Sequence, residues 1–241
     1  MTSVLVTREM VGEVAVLTLN RDEKRNALSL ALIDALRNAV EEPGDARALM
    51  ITGAGSAFSA GADLAEDKVG GDFFGAFFSL VRALRTSPLP VIAYVNGPAI
   101  GAGMMLTMAC DIRVATPESY FSVPVGDMAI GVDEWVVGTL SSLVGGSRAR
   151  VMLIAGTALD ASEAASCGYC LPGDREAALH LAQTAAAKAP LTVRNIKAEF
   201  APDLVSERQR EAARRAPFAS SDSAEALRAR RERRAPRFTG E

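Results

Sequence analysis

The sequence predicts an α/β fold from two observations that reinforce each other. Short, uninterrupted apolar runs rich in β-branched residues, each stopped by a turn cluster, read as strands. Segments with apolar residues at helical spacing lie between them, so strands and helices alternate along the chain. Hydrophobic residues make up 49% of the 241 positions, enough for one large core with an appendage. The pattern alone leaves open which α/β fold this is.

The first run is Val14–Leu19, ended by Asn20-Arg21-Asp22. Ser29 is placed to cap a helix from Leu30 to about Val40, with Leu32, Ile33, Leu36 and Val40 on one face. Ala48–Thr52 is a second buried strand, stopped by Gly53-Ala54-Gly55. Phe73–Leu84 has the spacing of a helix, with Phe74, Phe77, Phe78 and Val81 as its apolar stripe, and Pro88 and Pro90 end that region. Val91–Val95 is a third strand, closed by Asn96-Gly97-Pro98, and the Gly/Ala/Met-rich stretch Gly101–Ala109 reads as a buried helix. Ile112–Ala115 and Phe121–Val123 are short strands, and Val136–Val144 and Ala149–Ala155 are helices around Gly145-Gly146. The tail changes character. Glu176–Ala189 is an Ala-rich helix, and from Leu191 helices dominate and arginine accumulates. A boundary near residue 188 separates a core, residues 1–188, from a helical region, residues 189–241.

Composition excludes several function classes. The formal charge of −3 argues against a general polyanion binder, and 5% aromatics leave little for stacking nucleic-acid bases. The arginines from Arg208 to Arg237 are interleaved with Glu207, Glu211, Asp222, Glu225 and Glu232, the pattern of solvated helices with internal ion pairs. Three cysteines, an odd and small number, fit a reducing compartment. The first residues have acidic positions and no continuous apolar stretch, so they do not read as a signal peptide, and no run is long enough to span a membrane. The expected location is the cytoplasm.

Two segments could carry chemistry. Ala57-Phe58-Ser59-Ala60-Gly61-Ala62-Asp63-Leu64 follows the second strand, and its small residues allow close backbone approach to a ligand. Asn96-Gly97-Pro98-Ala99-Ile100-Gly101-Ala102-Gly103 joins the third strand to the buried helix. Amides at such a helix start lack internal partners and suit an anion or a developing oxyanion. Each segment alone reads more readily as a tight turn with close helix–strand packing.

Together these segments resemble the enoyl-CoA hydratase/isomerase, or crotonase, superfamily. The resemblance rests on "LNRDEKRNALS", "AFSAGADL", "NGPAIGAGMMLTMACDIRVA", "FSVP", "LSSLVG", "AGTALDASEAASCG" and "RRAPRFTG", which follow in order along nearly the whole chain. It implies a spiral of ββα units with a C-terminal helical region that builds homotrimers, often paired into hexamers. It also implies no permanently bound cofactor and a coenzyme A thioester, of a fatty acyl or enoyl group, as ligand. By motif position, the amides of Ala62 and Ala102 would form the oxyanion hole for the thioester carbonyl. The coenzyme A side would draw on Arg25, Ala27, Leu28, Ala60, Asp63 and Leu64. The stretches "GVDEW" and "LSSLVGGSRARVML" further resemble mycobacterial members of the family.

At two positions the chain departs from the hydratases. The resemblance implies a glutamate at residue 105 and another after the proline of "FSVP"; here Met105 and Val125 occupy them. Adding water to a conjugated double bond requires water activation and proton delivery, and neither methionine nor valine supplies them. With Trp135 these residues would line an acyl pocket. Asp133 matches the position of an acid in related isomerases and could move one proton between carbons. It could equally cap the helix that follows. Cys167-Gly168-Tyr169-Cys170 lacks the further ligands a metal needs, and no metal site is expected. "AFSAG" resembles a hydrolase elbow, but the single histidine, His180, sits in the Ala-rich helix, where a solvated position fits better than a base.

Overall fold

The computed structural model describes residues 4–63 and 71–241. Strand β1 (Val6–Val11) forms a hairpin with β2 (Val14–Leu19), and a one-turn 3-10 helix at Asp22–Lys24 leads to α1 (Leu30–Glu41). Ser29 caps α1, its Oγ accepting from the Leu32 amide, and Leu32, Ile33, Leu36 and Val40 are buried, as their spacing predicts. Strand β3 (Ala48–Gly53) precedes α2 (Gly71–Thr86). Strands β4 (Val91–Val95) and β5 (Ala99–Ile100) precede α3 (Ala102–Ala109), and β6 (Ile112–Ala115) and β7 (Tyr120–Ser122) precede α4 (Glu134–Val144). The remainder is α5 (Gly146–Ala155), β8 (Leu159–Asp160), α6 (Ala161–Ser166), β9 (Leu171–Pro172), α7 (Arg175–Ala186), α8 (Pro190–Glu199), α9 (Glu207–Ala219) and α10 (Ser221–Glu232).

The units repeat. Each gives a strand to a six-stranded sheet of order β1-β2-β3-β4-β6-β9, parallel except for the β1–β2 hairpin. Each then gives a short extended piece to a second layer before turning into a helix. That layer comprises the Leu28–Ala62 and Ser59–Ala99 bridges and the sheet β5-β7-β8. The central strands are buried on both faces, which is why they read as continuous apolar runs. Ala15, Leu17 and Leu19 of β2 face the main core with α1, α2 and α3, whereas Val14 and Val16 face Ala178, Ala182 and Ala186 of α7. Alanine every fourth residue lets α7 lie close to the sheet.

Strand β1, α6 and the two-residue strands escaped the sequence pattern. In β1 only the two end residues are partly buried, so no apolar alternation marks it. Several ties join α7 and the tail to the rest of the chain. The Arg47 guanidinium donates to the carbonyls of Ala186 (2.9 Å), Lys188 (3.1 Å) and Phe238 (2.6 Å). Lys197 Nζ donates to Asp111 Oδ2 at 2.5 Å and to the Leu84 carbonyl at 3.3 Å. Among the described residues no helix is long and apolar enough to cross a membrane.

Candidate functional site

The two glycine-bearing loops lie directly against each other. A Cβ on Gly61 would sit 2.7 Å from the Ile100 carbonyl oxygen and 3.5 Å from the Ala102 nitrogen. One on Gly103 would sit 2.5 Å from the Ser59 carbonyl oxygen. Only glycine permits this approach. Gly61 (φ +93°) and Gly101 (φ +53°) also occupy backbone conformations that L side chains rarely adopt.

The hydrogen bonding explains which amides remain open. Leu28 N donates to the Gly61 carbonyl (2.7 Å) and Asp63 N donates to the Leu28 carbonyl (3.0 Å). The intervening Ala62 N–H therefore points to the opposite side. Across the gap, Gly101 N donates to the Ser122 carbonyl (2.7 Å), and Met105 N donates to the Gly101 carbonyl (3.0 Å). Ala102 opens α3, where an amide has no partner one turn back. Among the described residues neither the Ala62 nor the Ala102 amide donates a hydrogen bond within the chain.

Both alanines line a cavity of about 540 Å³. Its wall takes Phe73, Phe74, Phe77 and Phe78 from α2, Met105 from α3, and Val125 and residues 128–133 of the loop before α4. Among the described lining residues Asp133 alone has a polar side chain. Its Oδ1 accepts from the Val136 amide at 3.0 Å, so it caps α4 as well as facing the cavity. The structure thus brings together Ala60, Ala62, Ala102, Met105, Val125 and Asp133.

Trp135 departs from expectation, because it does not line this cavity. Asp133 and Val136 are three residues apart and share one face of α4; residue 135 is turned away from it. The indole instead meets Phe78 edge-on at 6.0 Å, with the Arg85 guanidinium 5.8 Å from its ring centre. Its Nε1 is buried without a partner among the described residues. Arg85 in turn forks onto Asp203 (2.8 and 2.6 Å), which holds the Asp203 carboxyl below the usual carboxylate range.

Of the residues expected on a coenzyme A side, Ala60 lines the cavity, while Arg25, Ala27, Leu28 and Asp63 do not. Arg25 is exposed in a left-handed turn, and Ala27 and Leu28 are buried. Asp63, 8% exposed, receives Arg21 Nη1 at 2.5 Å. Leu64 lies outside the described residues.

Sequence reading missed three residues that hold these loops. Arg21 Nη1 also donates to the Ala27 carbonyl (3.1 Å), clamping both sides of the Leu28–Ala62 bridge. Asn26 is fully buried; its Nδ2 donates to the carbonyls of Ala54 (2.9 Å) and Ala57 (2.8 Å), and its Oδ1 accepts from the Arg21 amide (3.0 Å). Ser59 Oγ donates to the Asn26 carbonyl (2.8 Å) and accepts from the Gly61 amide (3.2 Å). The asparagine itself was the available signal, since asparagine tolerates better than most residues the left-handed conformation that Asn26 adopts (φ +55°).

Elsewhere chemistry is sparse. Among the described residues no group of three or more histidine, cysteine or acidic side chains could hold a metal. Burial pushes the Cys170 thiol up to about 11 and the Cys110 thiol up to about 12, so both are protonated and unreactive at neutral pH. His180 is exposed on α7.

The model of the Enoyl-CoA hydratase/isomerase family matches residues 9–241. A Mycobacterium tuberculosis protein named "Probable enoyl-CoA hydratase echA6" is 40% identical over 237 residues, covering 94% of this chain and 96% of its own. The crystal structure of an enoyl-CoA hydratase from Bacillus anthracis superposes with a TM-score of 0.89 at 28% identity, over 98% of this chain and 100% of that one. An enoyl-CoA hydratase/carnithine racemase from Magnetospirillum magneticum gives a TM-score of 0.87 at 30% identity, over 98% and 96%. With the repeating ββα architecture and a family match along almost its full length, the chain belongs to the enoyl-CoA hydratase/isomerase family and has the crotonase fold.

Proposed function

We propose that this protein binds a fatty acyl-CoA or enoyl-CoA thioester and hydrates it poorly. The carrying observation is the pairing of two open amides, Ala62 and Ala102, with a cavity wall that is apolar at Met105 and Val125. The amides would take the thioester carbonyl, and the phenylalanines of α2 would cover the acyl chain. A placed acid or base is worth about 10²–10⁴ in rate, so a site without either glutamate keeps the grip and loses most of the hydration chemistry. Coenzyme A would be ligand rather than resident cofactor. Its adenosine end would lie toward Arg25, Ala27, Leu28, Asp63 and Leu64, outside the acyl cavity. The natural setting would be fatty-acid metabolism in the cytoplasm.

The test titrates acyl-CoAs of rising chain length while following Trp135 fluorescence, and assays the same preparation for hydration and isomerisation. Saturable binding with negligible hydration is expected. Rapid hydration of a short enoyl-CoA would sink the reading, as would the absence of any acyl-CoA binding.

A second reading has a specific observation behind it. Asp133 faces the cavity although it caps α4. As a base it could carry a proton between two carbons of a bound enoyl group, making the protein an enoyl-CoA or dienoyl-CoA isomerase. Asp133→Asn, which keeps a capping oxygen, would then abolish isomerisation and leave binding intact; unchanged turnover excludes this role.

We further infer that residues 189–241 build a homotrimer or a dimer of trimers around the core formed by residues 1–188. Phe200 (81% exposed) and Phe218 (85%) are large apolar side chains left open on the tail, which supports an assembly surface there.

A further inference from the structure

We infer that the acyl cavity discriminates by hydroxyl substitution at the β-carbon, taking thioesters with an unsubstituted β-carbon and rejecting the 3-hydroxyacyl thioesters that hydration would produce. The inference rests on the acyl-CoA reading above and specifies its ligand class.

The argument is an account of hydrogen-bonding groups near the thioester. A carbonyl held by the Ala62 and Ala102 amides occupies both open donors. Met105 stands three residues along α3 from Ala102, on the same helical face, and both line the cavity. The acyl carbons next to the carbonyl therefore meet the Met105 side chain, with Val125 on the loop before α4.

The backbone around these two residues offers a hydroxyl little. Met105 N is committed to the Gly101 carbonyl at 3.0 Å. Val125 N donates to the Val123 carbonyl (2.8 Å), and the Val125 carbonyl already accepts from Met128 (3.3 Å) and Ile130 (3.0 Å). Asp133 is the single polar side chain among the described lining residues; it is exposed, and its Oδ1 holds the Val136 amide. A hydroxyl on the β-carbon would give up its water partners and meet the apolar Met105 and Val125 side chains in exchange. An apolar pocket rejects an added hydroxyl by about 10²-fold. A trans double bond carries no such group and fits the same wall.

This selectivity places the protein on the substrate side of hydration. Its ligand would be supplied by a reaction that forms a thioester from a fatty acid, or by one that desaturates such a thioester. The hydrated product would not compete for the site.

The experiment is isothermal titration of the full-length protein with decanoyl-CoA, trans-2-decenoyl-CoA and 3-hydroxydecanoyl-CoA, with the first and third as the deciding pair. The expected result is decanoyl-CoA and decenoyl-CoA within a few-fold of each other and 3-hydroxydecanoyl-CoA weaker on the order of 10²-fold. Equal affinity for the deciding pair overturns the inference while leaving the binding reading intact. Failure of all three to bind overturns both.

A second measurement uses Met105→Gln, which places a hydrogen-bonding group on the wall at a half-buried position. It should shrink the gap about tenfold, chiefly by tightening 3-hydroxydecanoyl-CoA. Asp133→Asn should leave the gap unchanged. A gap that ignores Met105→Gln but collapses in Asp133→Asn would mean that electrostatics at the rim, rather than the apolar wall, sets the preference.

Discussion

On one side of the cavity, residues 57–63 and 96–103 are pinned from behind by Arg21, Asn26 and Ser59, through hydrogen bonds that span 28 to 42 positions of sequence. On the other, the loop before α4 is held by bonds among its own neighbours, and Met128 (44% exposed) and Val132 (36%) reach solvent. The pinned side presents backbone and the looser side presents apolar side chains. Geometry that must be kept within a fraction of an ångström is thus assigned to a buried network. The lining that only has to be greasy and roughly shaped is assigned to an exposed loop.

Asn26→Ala should break this contrast most severely. It removes three side-chain hydrogen bonds and leaves the Ala54 and Ala57 carbonyls and the Arg21 amide in need of partners. The expected loss is roughly 2–4 kcal/mol of stability, read as a lower urea midpoint, together with loss of acyl-CoA binding. A midpoint unchanged from the parent would mean the network does not hold the loop. Met128→Ser on the opposite wall should change stability by no more than about 0.5 kcal/mol. Its effect should appear instead as a few-fold weaker affinity for acyl chains, with coenzyme A itself bound as before.

The smallest effect concerns the tail. The Arg234 guanidinium, the Arg237 amide and Arg228 together hold the Glu225 carboxyl well below its ordinary range. A depressed carboxylate contributes its stabilisation fully above the unfolded pKa of about 4.3 and loses it only as pH falls through the lowered folded value. The end of the chain should therefore stay docked through mildly acidic conditions and loosen below them. Hydrogen exchange at the Arg237 amide against pH reads this directly. Glu225→Gln should show the loosened exchange already at neutral pH; protected exchange in that variant would contradict the assignment.

The sequence disclosed the parts of the fold whose burial is continuous. Val14–Leu19, Ala48–Gly53 and Val91–Val95 are buried on both faces, and their ends coincide with the apolar runs to within a residue. Strand β1 was illegible because Arg8 and Glu9 stand on an exposed edge. At the site, Ala62 and Ala102 were singled out by their motif positions in the resemblance, and the glycine-bearing turns by themselves marked only close packing. Arg21, Asn26 and Ser59 were not, since a bond between residues 21 and 63 leaves no local periodicity to read. Trp135 does not join Asp133 at the cavity wall, because one helical step in phase turns it toward Phe78 and Arg85.

The open amides of Ala62 and Ala102 carry a consequence for how such a protein can change over generations. A side-chain acid can vanish through a single codon, but an amide proton is present whichever residue stands there, unless that residue is proline. Drift at positions 105 and 125 can therefore change the character of the cavity wall while both open amides persist. On the proposed role of these amides, lineages built on this frame are free to exchange turnover for ligand sensing, and back again, without first reinventing recognition.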